Sequence, residues 1–157
     1  MIHLEEVGPD NWRLGLHVRE DQRSYVSDSA CILARAYAYR ESRSRALILY
    51  NDETPVGMAM YYDYEDAYNL SQFFIDERYQ GKGLGYQAAE MVLHEMRADG
   101  AHNRVILCYV AGDEAAKRLY LKLGFSHTGD DEDDEIGMER MLFQHGDEQF
   151  IQERKPV

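Results

Sequence analysis

Basic residues are in short supply: 17 Lys and Arg stand against 29 Asp and Glu, a formal net charge of -12. Nucleic-acid binding needs clustered cations to neutralise phosphates, so this balance argues against it and permits attraction of a cationic small molecule, while simple solubility explains the charge equally well. Cysteine is nearly absent. Cys31 and Cys108 share no C-x-x-C spacing and sit inside apolar patterns, which predicts two buried reduced thiols rather than a disulfide or a metal site. The six histidines fall in no metal-ligand spacing, so no metal is expected. There is no run of about 18 apolar residues, and the first dozen residues are acidic and poor in apolar side chains. Neither a membrane span nor a signal peptide is expected, and the expected location is the cytoplasm.

What is present reads as one domain over residues 1–144, followed by a polar tail over 145–157. Ile2 to Val7 alternates as a first strand. Pro9, Asp10 and Asn11 then open a short helix through Trp12, Leu14, Leu16 and Val18, broken at Arg19 to Arg23. Ser29 can cap a second helix with Ala30, Leu33, Ala34 and Tyr37 on one face. Two apolar strands, ALILYND and VGMAMYYDY, flank a DETP hairpin turn, and AYNLSQFFID supplies a third. A helix runs from Gly83 to about Gly100 with Leu84, Ala88, Met91 and Val92 on one stripe. After the strand RVILCYV comes a helix in DEAAKRLYLKLGF, where Ala116, Leu119, Tyr120 and Leu123 share a face and Gly124 ends it. Phe125 begins another strand. The acidic run Asp130 to Glu135 is a solvated turn before the last strand, IGMERMLF. These elements make a mixed α/β sheet.

The segment YQGKGLGYQAAEMVL passes from a glycine-rich turn straight into a helix. A helix N-terminus leaves about four amides unpaired and carries partial positive charge, so such a junction attracts phosphate. Gly81, Gly83 and Gly85 remove side chains that would hold an anion away, and Lys82 adds a cation. The glycines alternate, which is neither the dinucleotide spacing nor a P-loop. By itself the turn is also explained as an ordinary tight strand-helix connection.

Together with the Asp-x-x-Ala-x-x-x-Tyr-x-x-x-Gly-Phe arrangement of residues 113–125, the turn resembles the GNAT superfamily of acetyl-CoA-dependent N-acetyltransferases. Their pyrophosphate loop reads Gln/Arg-x-x-Gly-x-Gly/Ala, matched by Gln80, Gly83 and Gly85, and their later helix carries a tyrosine before Leu-Gly-Phe, matched by Tyr120. DNW, YVSDS, YDYEDA, FFIDERYQGKGLG and LCYVAGDEAAKRLYLKLGF look like the bacterial spermine/spermidine acetyltransferases within it.

The resemblance implies a mostly antiparallel, splayed central sheet of about seven strands flanked by about four helices. It implies acetyl-CoA as cosubstrate, with its pyrophosphate on Gln80, Gly81, Lys82, Gly83, Leu84, Gly85 and Tyr86, and its pantetheine arm along Phe73, Phe74 and Ile75. Asp113 and Lys117 are further candidate cofactor contacts, although asparagine commonly stands at 113 in the superfamily. Tyr120 is the candidate general acid for the departing thiolate. Deprotonating an alkylammonium of pKa near 10.4 at pH 7 costs on the order of 4 to 5 kcal/mol. Cys108 occupies the place where some members carry an acidic base, which leaves a water chain to acidic residues or solvent as the expected proton acceptor. Glu20, Asp21, Asp63, Glu65 and Asp66 are candidates to hold a polyamine, with Trp12, Tyr61 or Tyr62 against its methylenes. Exposed acids at a helix break and a hairpin tip explain them equally well. Other acceptors within the family are a protein N-terminus, an aminoglycoside or an amino acid. A non-catalytic CoA-binding module is the reading from another class. Family members are often dimers.

Overall fold

The computed structural model describes residues 1–143; the expected tail at 145–157 lies outside the described residues. Seven strands form one sheet in the order β1-β2-β3-β4-β5-β7-β6: β1 (Ile2–Glu6), β2 (Arg45–Asn51), β3 (Thr54–Tyr64), β4 (Ala67–Ile75), β5 (Arg104–Val110), β6 (Ser126–His127) and β7 (Glu135–Met141). Every pairing is antiparallel except β4 with β5. That parallel pair spans only Ala67↔Arg104, Tyr68↔Val105 and Asn69↔Ile106. Beyond Asn69 the two strands part, so the sheet is closed at one end and splayed at the other.

Three α-helices cover the sheet: α1 (Ser29–Ala38), α2 (Leu84–Asp99) and α3 (Glu114–Lys122). The expected helix over 11–18 does not form, and this accounts for three where about four were expected. Its apolar residues Leu16 and Val18 are buried on the α1 side of the sheet, tied down through His17, whose amide donates to Asp76 and whose carbonyl accepts from the Glu77 amide. The α1 cap is Asp28, whose carboxylate accepts from the Cys31 amide at 2.7 Å, and Ser29 is the first helical residue instead. The buried stripe of α1 is Ile32 with Leu33 and Ala36 against it; Tyr37 is 69% exposed. Cys31 and Cys108 are both exposed, not buried, because each points away from the apolar side of its element.

α2 and α3 pack on the opposite face, where Leu84, Ala88, Val92, Leu93, Met96, Tyr120 and Leu123 join the inward side chains of the strands. Gly100 ends α2 with φ of 74°, its amide bonded to Met96 O at 3.1 Å. Gly57 in β3 lets the strands close: a Cβ there would stand 2.2 Å from the Phe74 carbonyl oxygen. The acidic stretch before β7 is a turn, with Asp133 at φ of 53° and a Glu132↔Glu135 bridge.

Candidate active site

The cleft between the parting ends of β4 and β5 holds two cavities. The first, about 390 Å³, runs along Phe73, Phe74 and Ile75 and reaches Gln80, Gly81, Gly83, Gly85 and Tyr86. The backbone at its floor is bent by two glycines. Gly81 and Gly83 hold φ of 76° and 77°, where a side chain is strained, and a Cβ on either would meet nothing within 4 Å. Gly83 is also the α2 N-cap and offers no side-chain oxygen, so the first α2 amides stay free of an internal partner. Gly85 serves packing, with Ile75 at 3.6 Å from where its Cβ would lie.

Asp76 anchors the strand-to-turn passage. It is fully buried and accepts from the His17 amide at 3.0 Å, the Arg78 amide at 3.0 Å and Arg78 Nε at 2.8 Å. Burial pushes its pKa up, and the Arg78 side chain with the two amides outweighs this, holding the carboxyl below the usual range. Gln80 donates from Nε2 to Ile75 O at 2.9 Å and to Gln22 Oε1 at 2.8 Å, pinning the loop to the end of β4. Lys82, Leu84 and Lys117 do not line this cavity. Lys82 Nζ lies 5.9 Å from the Tyr79 ring centre, and Leu84 belongs to the core. Arg118 and Lys122 of α3 do line it, Lys122 at 4.6 Å over the Tyr86 ring. Their spacing of four along a helix was the available signal for these two cations.

The second cavity, about 240 Å³, is walled by Arg35, Tyr62, Gln72, Cys108 and Glu135, among others. It meets the first at Val26, Phe73, Asp113, Ala116 and Tyr120, which line both. Asp113 caps α3 by accepting from the Ala116 amide at 3.2 Å. Tyr120 is buried at this junction on α3, against Phe125 at a ring separation of 5.8 Å. Burial, reinforced by Asp113, pushes its phenol pKa up, so it keeps its proton at neutral pH. The Cys108 thiol is also raised, by surrounding protein and by Glu135, Asp131 and Glu132. A thiol held in its protonated form is a poor base.

The five acids expected to hold an acceptor line neither cavity. Glu20 and Asp21 are exposed in a 3-10 turn, Asp21 beside Arg19 at 3.3 Å. Asp63 is taken up by Arg43 at 2.6 Å and His102 at 3.2 Å. Glu65 and Asp66 form the β3–β4 turn, Asp66 paired with Arg104 at 3.3 Å. That turn belongs to the closed end of the sheet, away from the cleft. Tyr62 does reach the second cavity, stacked on Tyr39 at 4.2 Å and accepting from Asn69 Nδ2 at 2.8 Å.

A mostly antiparallel sheet splayed beside a glycine-bent helix N-terminus is the open mixed α/β fold shared with an N-acetyltransferase of known structure from Staphylococcus aureus (TM-score 0.69, 16% identity, 91% of this chain and 99% of that one). The chain belongs to the acetyltransferase (GNAT) family, whose model matches residues 10–125, and is thus an N-acetyltransferase family member. It is 34% identical over 140 residues to a spermine/spermidine N(1)-acetyltransferase of Bacillus subtilis, covering 82% of this chain and 90% of that one. Among solved structures, the fold superposes on the spermidine N-acetyltransferase of Vibrio cholerae in complex with CoA and spermine (TM-score 0.72, 14% identity, 90% of this chain and 95% of that one). It also superposes on yncA of Salmonella typhimurium with its cofactor acetyl-CoA (TM-score 0.68, 17% identity, 92% and 96%).

Proposed function

We propose that this protein transfers the acetyl group of acetyl-CoA to a primary amine, with a polyamine such as spermidine or spermine as acceptor. The observation that carries the reaction is the meeting of the two cavities at Tyr120. The polyamine is supported by the names of the Bacillus subtilis relatives.

The open cradle at Gly81 and Gly83 fits a diphosphate, which the amides from Gly81 to Tyr86 would hold, with Gln80 fixing the loop. The edge of β4 from Phe73 to Ile75, unpaired with β5, would bind the pantetheine arm as an added strand. Asp113 is retained as a candidate contact where the cavities meet, Leu84 through its backbone amide alone, and Lys82 and Lys117 as candidates outside the lining. Acetyl-CoA supplies an activated acetyl group on a thioester sulfur. A backbone N–H on the same β4 edge would stabilise negative charge at the acetyl oxygen. Tyr120 Oη would give its proton to the departing sulfur, a role its raised pKa suits at neutral pH. Glu135, a wall carboxylate not engaged in capping a helix, would hold the acceptor's ammonium; the proton the amine loses would leave through water to solvent, from which Tyr120 is reprotonated, while Glu20, Asp21, Asp63, Glu65 and Asp66 would act only as a distant negative field.

The test incubates the protein with acetyl-CoA and a panel of amines, following thiol release and identifying products by mass spectrometry. Acetyl-CoA-dependent acetylation of spermidine is the expected result. Turnover of another amine alone would overturn the acceptor, and no turnover with measurable CoA binding would leave a binding module.

A further inference from the structure

Of the half-buried arginines, Arg45 and Arg104 each meet a carboxylate, Glu95 at 3.1 Å and Glu139 at 2.9 Å, whereas Arg35, Arg97 and Arg140 form no ion pair among the described residues. Arg97 and Arg140 donate to the backbone carbonyls of Leu142 and Leu123, and Arg35 alone of the three lines the second cavity. Its guanidinium donates from Nη1 to Ser71 Oγ at 3.1 Å. Ser71 is the bulged residue of β4, passed over where the register steps from Met60↔Gln72 to Tyr61↔Leu70. Arg35 thus reaches from α1 to the wall of the second cavity, beside Tyr62. A guanidinium carries five N–H donors, and the bond to Ser71 uses one.

The charges around this cavity are unevenly placed. Arg35 supplies the positive one from α1; Asp113 and Glu135 supply the negative ones from the start of α3 and the start of β7. The other titratable walls are Tyr25, Tyr62, Tyr109, Cys108 and Tyr120. Asp113 already accepts from the helix it caps. An acceptor chain therefore meets a cation on one side and Glu135 on the other.

We infer that Arg35 sets charge selectivity in the acceptor cavity. It disfavours a second ammonium against the α1 wall, and among amines that carry a hydrogen-bond-accepting or anionic group it favours those that place that group there. The inference rests on the reading that this cavity takes the acceptor amine. Within the polyamine class it limits good acceptors to those that send their remaining cations toward Glu135.

The test uses three primary amines of equal length whose far ends differ in charge: 1,4-diaminobutane, n-butylamine and 4-aminobutanoate. Steady-state kcat and KM are measured for the wild type, Arg35→Gln and Arg35→Lys. Arg35→Gln should raise the ratio of kcat/KM for the diamine over the aminocarboxylate by about tenfold or more, mainly through KM, with n-butylamine between them. Arg35→Lys should keep the wild-type order, and high salt should shrink the difference. An equal fall for all three amines would overturn the inference and make Arg35 a peg for the bulge at Ser71. No turnover of these amines or of spermidine by the wild type would instead overturn the reading of the cavity, and the inference with it.

Discussion

At the residue scale, Tyr120 and Asp76 carry opposite burdens. The Tyr120 hydroxyl has no hydrogen-bond partner among the described residues, while its ring is packed in the core beside Phe125. Tyr120→Phe keeps that packing and removes only the proton. Its kcat should fall about 10²- to 10⁴-fold, with thermal unfolding nearly unmoved; unchanged turnover would take the phenol out of the chemistry. Asp76 is the reverse case, buried and bonded on every side. Asp76→Ala leaves two backbone amides and a guanidinium without their acceptor, so urea denaturation should show a loss of about 2–4 kcal/mol. Tyr120 was legible because its helical spacing and the following Leu-Gly-Phe lie in one stretch. Arg35 and Glu135 were not, because α1, β4 and β7 bring them to one cavity only in the folded chain.

At the element scale, α2 was read nearly to the residue, since its glycines mark both ends and its apolar stripe is regular. α1 was read with its face displaced: the apolar residues are spread enough that Ala30, Leu33, Ala34 and Tyr37 fit helical spacing as well as the buried set does. The segment around Leu16 and Val18 fitted a helix in pattern, and tertiary hydrogen bonds to residues 76 and 77 decided against it. The start of α2 is where element geometry and ligand binding coincide. Gly83→Ala places a methyl group in open space but in the left-handed region, at a cost of about 1–2 kcal/mol. Either the helix pays that in stability or the turn relaxes and its amides lose their aim. Isothermal titration should show acetyl-CoA binding weakened about tenfold, alongside a modest fall in Tm. Full affinity at full stability would remove the turn from the cofactor site.

At the scale of the whole molecule, the sheet is fastened at one end and open at the other. The succession of strands along the chain and the mixed α/β class followed from alternation and turn residues, and the splay followed from the family resemblance alone, because nothing local tells β4 and β5 where to part. The fastening is a charge cluster invisible in sequence. Arg43 donates to both oxygens of Asp63 at 2.6 and 3.0 Å and to both oxygens of Asp99 at 3.0 Å. Asp99 also accepts from the Tyr68 hydroxyl, and His102 lies 3.2 Å from Asp63. These contacts join β3, β4 and the end of α2 next to the short parallel pairing. Arg43 holds both carboxyls below the usual range, Asp99 at about 2. A depressed folded-state pKa adds stability above the unfolded value of 3.8 that is lost as pH falls through the folded one. Arg43→Gln should therefore cost about 1 kcal/mol at pH 7, a figure kept small because the guanidinium is half exposed. The difference between wild type and variant should shrink as pH drops from 4 toward 2 and the two carboxyls take up protons, and it should vanish only below the folded-state pKa of Asp99. Chemical denaturation at pH 7, 4 and 2.5 checks this: a difference that stayed constant across the three would mean that Arg43 acts by packing rather than by charge.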